Sequence, residues 1–142
     1  MSFDLERFVK AQQSTYDRAL NELIDGRKRS HWMWFIFPQI QGLGRSDTAR
    51  FYAISGRAEA EAYLAHPVLG PRLEECTRAM LDHSNLTVHD ILGSPDDLKF
   101  RSSMTLFAAV TDQNALFQTA LRQFCNGAQD RETLSVISGL EQ

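Results

Sequence analysis

Apolar residues that return every third or fourth position, interrupted by Gly and Pro, constrain this chain more than any other feature of its sequence. Leu5, Phe8, Val9, Gln12, Tyr16, Leu20, Leu23 and Ile24 fall at such steps, which predicts helix over residues 4–25 with one buried stripe, ended by Gly26. Ser14 followed by Asp17 offers an alternative in which a side-chain cap starts a second helix inside that span. Further on, the pattern predicts a short helix over 47–52, an Ala-rich one over 57–65, and one from Pro67 to about Asp82 carrying Leu69, Leu73, Cys76, Met80 and Leu81. A short helix over 87–92 is closed by Gly93. Ser94-Pro95-Asp96-Asp97 then supplies a cap, a first-turn proline and two acids for a helix reaching Val110. Segments 113–125 and 130–139 complete the series, the last capped by Asp130.

With no run of alternating strands, these patterns imply a mainly α, compact single-domain helical fold, with room for a minor two-stranded element around residues 31–37. A length of 142 residues suits one core, and 43% hydrophobic with 23% charged residues is the mixture of a globular chain.

Residues 31–37, His-Trp-Met-Trp-Phe-Ile-Phe, are too apolar to show a period and fit either a short buried strand or a buried helical turn. They are core, or they wall a ligand site. In the second reading Trp32 and Trp34 stack on a base or sugar, and Gln39 offers its amide to a polar edge. The Pro38–Ser46 stretch adds Gly42 and Gly44, whose lack of a side chain permits close approach of a ligand. The two glycines lack the register of a dinucleotide fingerprint.

A net charge of −3 and a pI near 5.8 leave no dedicated nucleic-acid surface. Arg27-Lys28-Arg29 is a solvated helix end or a local phosphate contact. His66, Pro67, Gly70 and Arg72 place a titratable ring and a cation near a helix start, which suits either helix capping or an anion. Lys99 and Ser103, four apart, share a helix face; with Ser102 and Thr105 they offer a cation and hydroxyls, or simply a mixed polar face. His31 and Asp97 are the candidate groups for proton transfer, Asp97 also serving as a first-turn acid. Hydrolase, zinc, phosphate-loop and kinase signatures do not occur, so neither metal nor cofactor is expected. Cys76 and Cys125 are isolated thiols, and a charged N-terminus with no long apolar run implies a cytoplasmic chain with no membrane contact.

Several blocks together resemble the family called domain of unknown function 1810. They are Phe8-Val9-Lys10-Ala11-Gln12 with Tyr16, Ser30 to Gln39, Gly42-Leu43-Gly44 with Ser46, Tyr63 to Leu73, and Asp96 to Phe107. The resemblance spans nearly the whole chain and implies a mainly helical fold without implying a reaction. Some members carry the label calpastatin, which would imply a disordered, repeat-bearing protease inhibitor; an aromatic-rich globular composition argues against it. The helical pattern also looks like a distant relation of the NADAR family, which would imply work on ADP-ribose or other N-glycosidic nucleotides. That family's motif does not align residue by residue with this chain, so no catalytic position is carried over. The resulting expectation is an enzyme acting on a phosphorylated ribosyl or nucleotide-like compound, with Arg72 and Lys99 on phosphate. The alternative is a noncatalytic small-molecule binding or protein-interaction module using the same pocket.

Overall fold

In the computed structural model, residues 3–140 are described and ten helices succeed one another among them. They are α1 (Glu6–Gln13), α2 (Tyr16–Asp25), α3 (Met33–Ile36), α4 (Asp47–Phe51), α5 (Arg57–Ala65), α6 (Leu69–Leu81), α7 (Val88–Leu92), α8 (Asp96–Ala109), α9 (Ala115–Cys125) and α10 (Arg131–Leu140). No helix among the described residues is long and apolar enough to cross a membrane.

The first stripe is divided at Ser14 and Thr15, and no side chain caps α2 there. Tertiary packing accounts for the division. α1 lies on α3 while α2 lies on α6, so one straight rod could not reach both partners. The aromatic segment is helical: Met33–Ile36 makes a single turn, and the two-stranded element shrinks to one parallel bridge between Ile40 and Ile54. Gln41 N–H donates to Ile54 O at 2.8 Å and Ile54 N–H to Gln39 O at 2.9 Å, after which the Gly42 turn leads the chain into α4.

α8 is the axis of the fold, packed by α5, α7, α9 and α10. Phe100, Met104, Leu106 and Phe107 are fully buried, and Ser102, Ser103 and Thr105 are buried with them, so the mixed polar face expected here is corrected to a helix enclosed on most sides. Buried hydroxyls fit such a helix because they can bond back to their own carbonyls: Thr105 Oγ1 donates to Arg101 O at 2.8 Å and Ser102 Oγ to Leu98 O at 3.2 Å. Thr105 Oγ1 also accepts from Asp130 N at 2.9 Å, which fastens the start of α10 to α8. Pro95 sits at the N-cap rather than in the first turn, and Asp97 accepts from Leu98 N.

Two rows of aromatic rings meet at α3. Phe37 packs edge-on against Phe100 at 5.1 Å and Phe100 against Phe124 at 5.9 Å, while Phe35 turns the other way onto Tyr52. Trp32, Met33, Phe35, Ile36 and Phe37 are all core. α5 and α6 approach closely at Gly70, where a Cβ would lie 2.2 Å from Leu64 O.

Two carboxylates organise the polar interior. Glu22 accepts from Arg29 N at 2.7 Å, Ser30 N at 3.0 Å, Trp32 Nε1 at 2.9 Å and the Ser30 hydroxyl, pinning the 27–32 linker to α2. Burial pushes its pKa up, but those hydrogen bonds outweigh burial and hold it at about 2. Glu59 accepts from Ser55 N at 2.7 Å and pairs with Arg7 at 2.9 Å; Arg7 also donates to Phe51 O at 2.8 Å and Ala53 O at 3.0 Å. These bonds tie α1 to the α4–α5 connection, which fixes the loop described next.

Candidate functional site

Residues 39–45 form a loop held at one end by the Ile40–Ile54 bridge and at the other by Ser46, whose hydroxyl accepts from Ala49 N at 3.1 Å. Three depressions border this loop, and Gly44 walls all of them. The first, about 270 Å³, is a groove between the loop, the first two turns of α8 and the start of α10. Its apolar part comes from Leu43, Pro95 and Leu98, and its polar part from Gln39, Lys99, Arg101, Ser102, Asp130 and Glu132. The second, about 560 Å³, is walled by Gln41, Gly42, Gly44, Arg45, Arg50 and Ala53. The third is a dimple of about 10 Å³ beside Trp34 and Tyr52.

The groove's cations are loosely held. Lys99 Nζ lies 3.5 Å from Asp96 and 5.5 Å from the centre of the Trp34 ring. Arg101 reaches Asp130 only at 3.9 Å, and its Nε is shielded from solvent with no acceptor. Asp130 is better occupied, because it caps α10 by accepting from Thr133 N at 3.0 Å and from the Thr133 hydroxyl. Glu132 is exposed.

The structure gathers Gln39, Gly44 and Lys99 at the groove, with Gly42 and the half-buried Trp34 in the depressions beside it. The other expected contacts lie elsewhere. Trp32 is fully buried with its indole N–H on Glu22, and Ser103 is fully buried, so neither has surface to offer a ligand. Arg72 stacks on Tyr16 at 4.6 Å and donates to Gln12 Oε1 at 3.3 Å. His31 is exposed and walls none of the three depressions. The Asp97 carboxylate faces His89 at 3.4 Å.

Two sequence alternatives resolve toward structure. His66 Nδ1 accepts from Val68 N at 3.1 Å and Leu69 N at 3.3 Å, so it caps α6 and occupies the amides an anion would need. The basic run is dispersed, Lys28 going to Asp96 at 3.0 Å and Arg29 to Asp25 at 3.2 Å.

Arg101 and Glu132 belong to no motif in the sequence. Pro95, Leu98 and Arg101 or Ser102 follow three- and four-residue spacing, so the signal for Arg101 existed. Lys99 has a neighbour three residues on, Ser102, and one four on, Ser103, but only packing decides which side of α8 meets the groove.

Cysteine chemistry is absent from the groove. Burial drives the Cys76 thiol up to about 12, and Cys125 is also raised, by burial first. No cluster of three or more His, Cys, Asp or Glu that could hold a metal occurs among the described residues.

A helical domain built around one enclosed helix, with a small groove walled by two cations and two carboxylates at a Gly-bearing loop, is the class of protein that fold and site define. The chain belongs to the family described as protein of unknown function DUF1810, whose model matches residues 2–137. It is similar to a solved structure, that of the conserved hypothetical protein Rv1873 from Mycobacterium tuberculosis, with 50% identity and a TM-score of 0.95 over 96% of this chain and 97% of that one. Among curated proteins none matches at a significant level.

Proposed function

We propose that this protein binds a phosphorylated, nucleotide-like small molecule in the groove between the 39–45 loop and α8. The reading is carried by one observation: the weakly partnered cations Lys99 and Arg101 wall a concave site together with the Gln39 amide and an apolar patch of Leu43, Pro95 and Leu98. Phosphate oxygens suit the two cations, and Arg can meet them with two parallel N–H donors. The apolar patch and Gln39 suit the face and edge of a base or sugar. A groove of about 270 Å³ is small for a drug-sized ligand and leaves part of it in solvent.

Thermal-shift measurement against NAD, ADP-ribose, nucleoside monophosphates and sugar phosphates tests this, because a ligand that binds only the folded state raises apparent stability. The expected result is a shift with wild type that Lys99→Ala reduces. Absence of a shift across the whole panel defeats the reading.

A second reading, favoured by two carboxylates in the same groove, is cleavage of an N-glycosidic bond, the chemistry the NADAR resemblance implies. Glu132 and Asp130 would supply the negative groups. One carboxylate would take a proton from water as its oxygen adds to the sugar C1′; the C1′–N bond breaks, and the departing nitrogen receives a proton. Neither His31 nor Asp97 walls this groove. Chromatography of a bound ligand after incubation with wild type and Glu132→Gln distinguishes the readings: product with wild type alone supports cleavage, and unchanged ligand with both leaves a binding protein.

A further inference from the structure

The larger depression adjoins the groove at Gly44, and two arginines dominate it. Neither the Arg45 nor the Arg50 side chain has a hydrogen bond or ion pair among the described residues, and no acidic residue walls the depression. The contrast within the chain is sharp. Arg7, Arg29, Arg78 and Arg101 each reach a carboxylate, and Arg72 has Gln12 and the Tyr16 ring.

Their positions make the pair unusual. Arg45 precedes the Ser46 cap and Arg50 is the fourth residue of α4, two places that commonly hold apolar side chains packed on each other. Placing two cations there puts like charges on one wall with no acid beside them, so an anion entering the depression would meet both. The side chains make this site, not the helix amides, one of which Ser46 already occupies. Gly42 has φ +93°, and a Cβ there would meet nothing within 4 Å, so its glycine serves backbone conformation and leaves the wall beside the arginines uncovered.

We propose that Arg45 and Arg50 hold a phosphoryl group, and that it is the second phosphate of the ligand whose first phosphate meets Lys99 and Arg101 across Gly44. The substrate class is thereby narrowed to nucleotide-like compounds with two phosphoryl groups at separate positions. This deepens the groove reading and rests on it.

Isothermal titration of the full chain with adenosine 5′-monophosphate and adenosine 3′,5′-bisphosphate tests both levels. Wild type should bind the bisphosphate about tenfold more tightly than the monophosphate, as one further charge-assisted phosphate contact gives. Arg45→Ala with Arg50→Ala should bring the bisphosphate down to the monophosphate value and leave the monophosphate unchanged. The paired Gln substitutions, which keep most of each side chain's stem, should do the same, and circular dichroism should be unaltered in each variant. Equal binding of the two compounds by wild type, or an intact gap in the double variant, overturns the arginine site alone. Failure of wild type to bind either compound overturns the groove reading and this one with it. Binding of the bisphosphate only, lost in the double variant, keeps the arginine site and removes the groove.

Discussion

The interior beneath α3 and the surface around the 39–45 loop use charge in opposite ways. Glu22 and Arg7 are almost wholly occupied by the chain itself: Glu22 accepts four hydrogen bonds, and Arg7 ties a carboxylate and backbone carbonyls of the α4–α5 connection to α1. At the loop, Lys99 and Arg101 hold their carboxylates at 3.5 and 3.9 Å, and Arg45 and Arg50 hold none. A buried charge left unpaired is costly, so folding must satisfy the first set. Surface cations carry no such obligation, and their unused hydrogen bonds remain for a ligand. The comparison predicts that damage to the first region lowers stability and damage to the second lowers binding.

The largest effect should come from Glu22→Leu. It strands the Trp32 indole N–H and the Arg29 and Ser30 amides without an acceptor, and urea unfolding should show a loss of about 3–5 kcal/mol. A loss under about 1 kcal/mol would mean that the linker repacks freely and the carboxylate is no hub.

Acid should probe the same group. The Glu22 pKa falls from an ordinary 4.5 to about 2 in the folded chain, so its contribution is complete above pH 4.5 and disappears as pH drops toward 2. Across that window unfolding free energy should decrease by about 3 kcal/mol on this group's account. Glu22→Gln should flatten the profile there, and an unchanged slope would assign acid sensitivity to other carboxylates.

Gly44→Ala bridges the two regions. Its Cβ would stand 2.5 Å from Ala49 Cβ, so loop and α4 must separate, at a cost of about 1–3 kcal/mol, and all three depressions change shape. Differential scanning calorimetry with the ligand titration reads both consequences. Stability lost with binding retained would show that the loop's shape does not matter to the ligand.

Lys99→Ala should disturb stability least, by less than about 1 kcal/mol, since it removes one loose ion pair and a cation over Trp34. It should weaken nucleotide binding about tenfold. A variant that binds as wild type does would detach the groove from the function.

How far the sequence could be read differs between backbone and site. Helix α5, the end of α2 at Gly26 and the cap of α10 at Asp130 were all legible, because propensity, a left-handed glycine and a capping carboxylate act within a few residues of themselves. The division at Ser14 was legible only as an alternative, since it answers to what α1 and α2 pack on. Gln39, Gly44 and Lys99 suit a ligand by their chemistry and meet at one groove. Trp32 and Ser103 carry suitable groups as well but are enclosed, while Arg101, which no motif marks, walls the groove.

The sequence by itself determined that this is a helical chain of the DUF1810 family, because helix period, caps and breakers are local and the family's blocks are written in consecutive residues. Tertiary structure alone decided which neighbour of Lys99 faces the groove, that Trp32 serves Glu22, and that the Gly-bearing loop lies against α8 and α10. Periodicity fixes the angle between side chains on one helix. Which of those angles points to solvent depends on what packs against the helix, for α8 the neighbouring helices α5, α7, α9 and α10 together with the distant 39–45 loop.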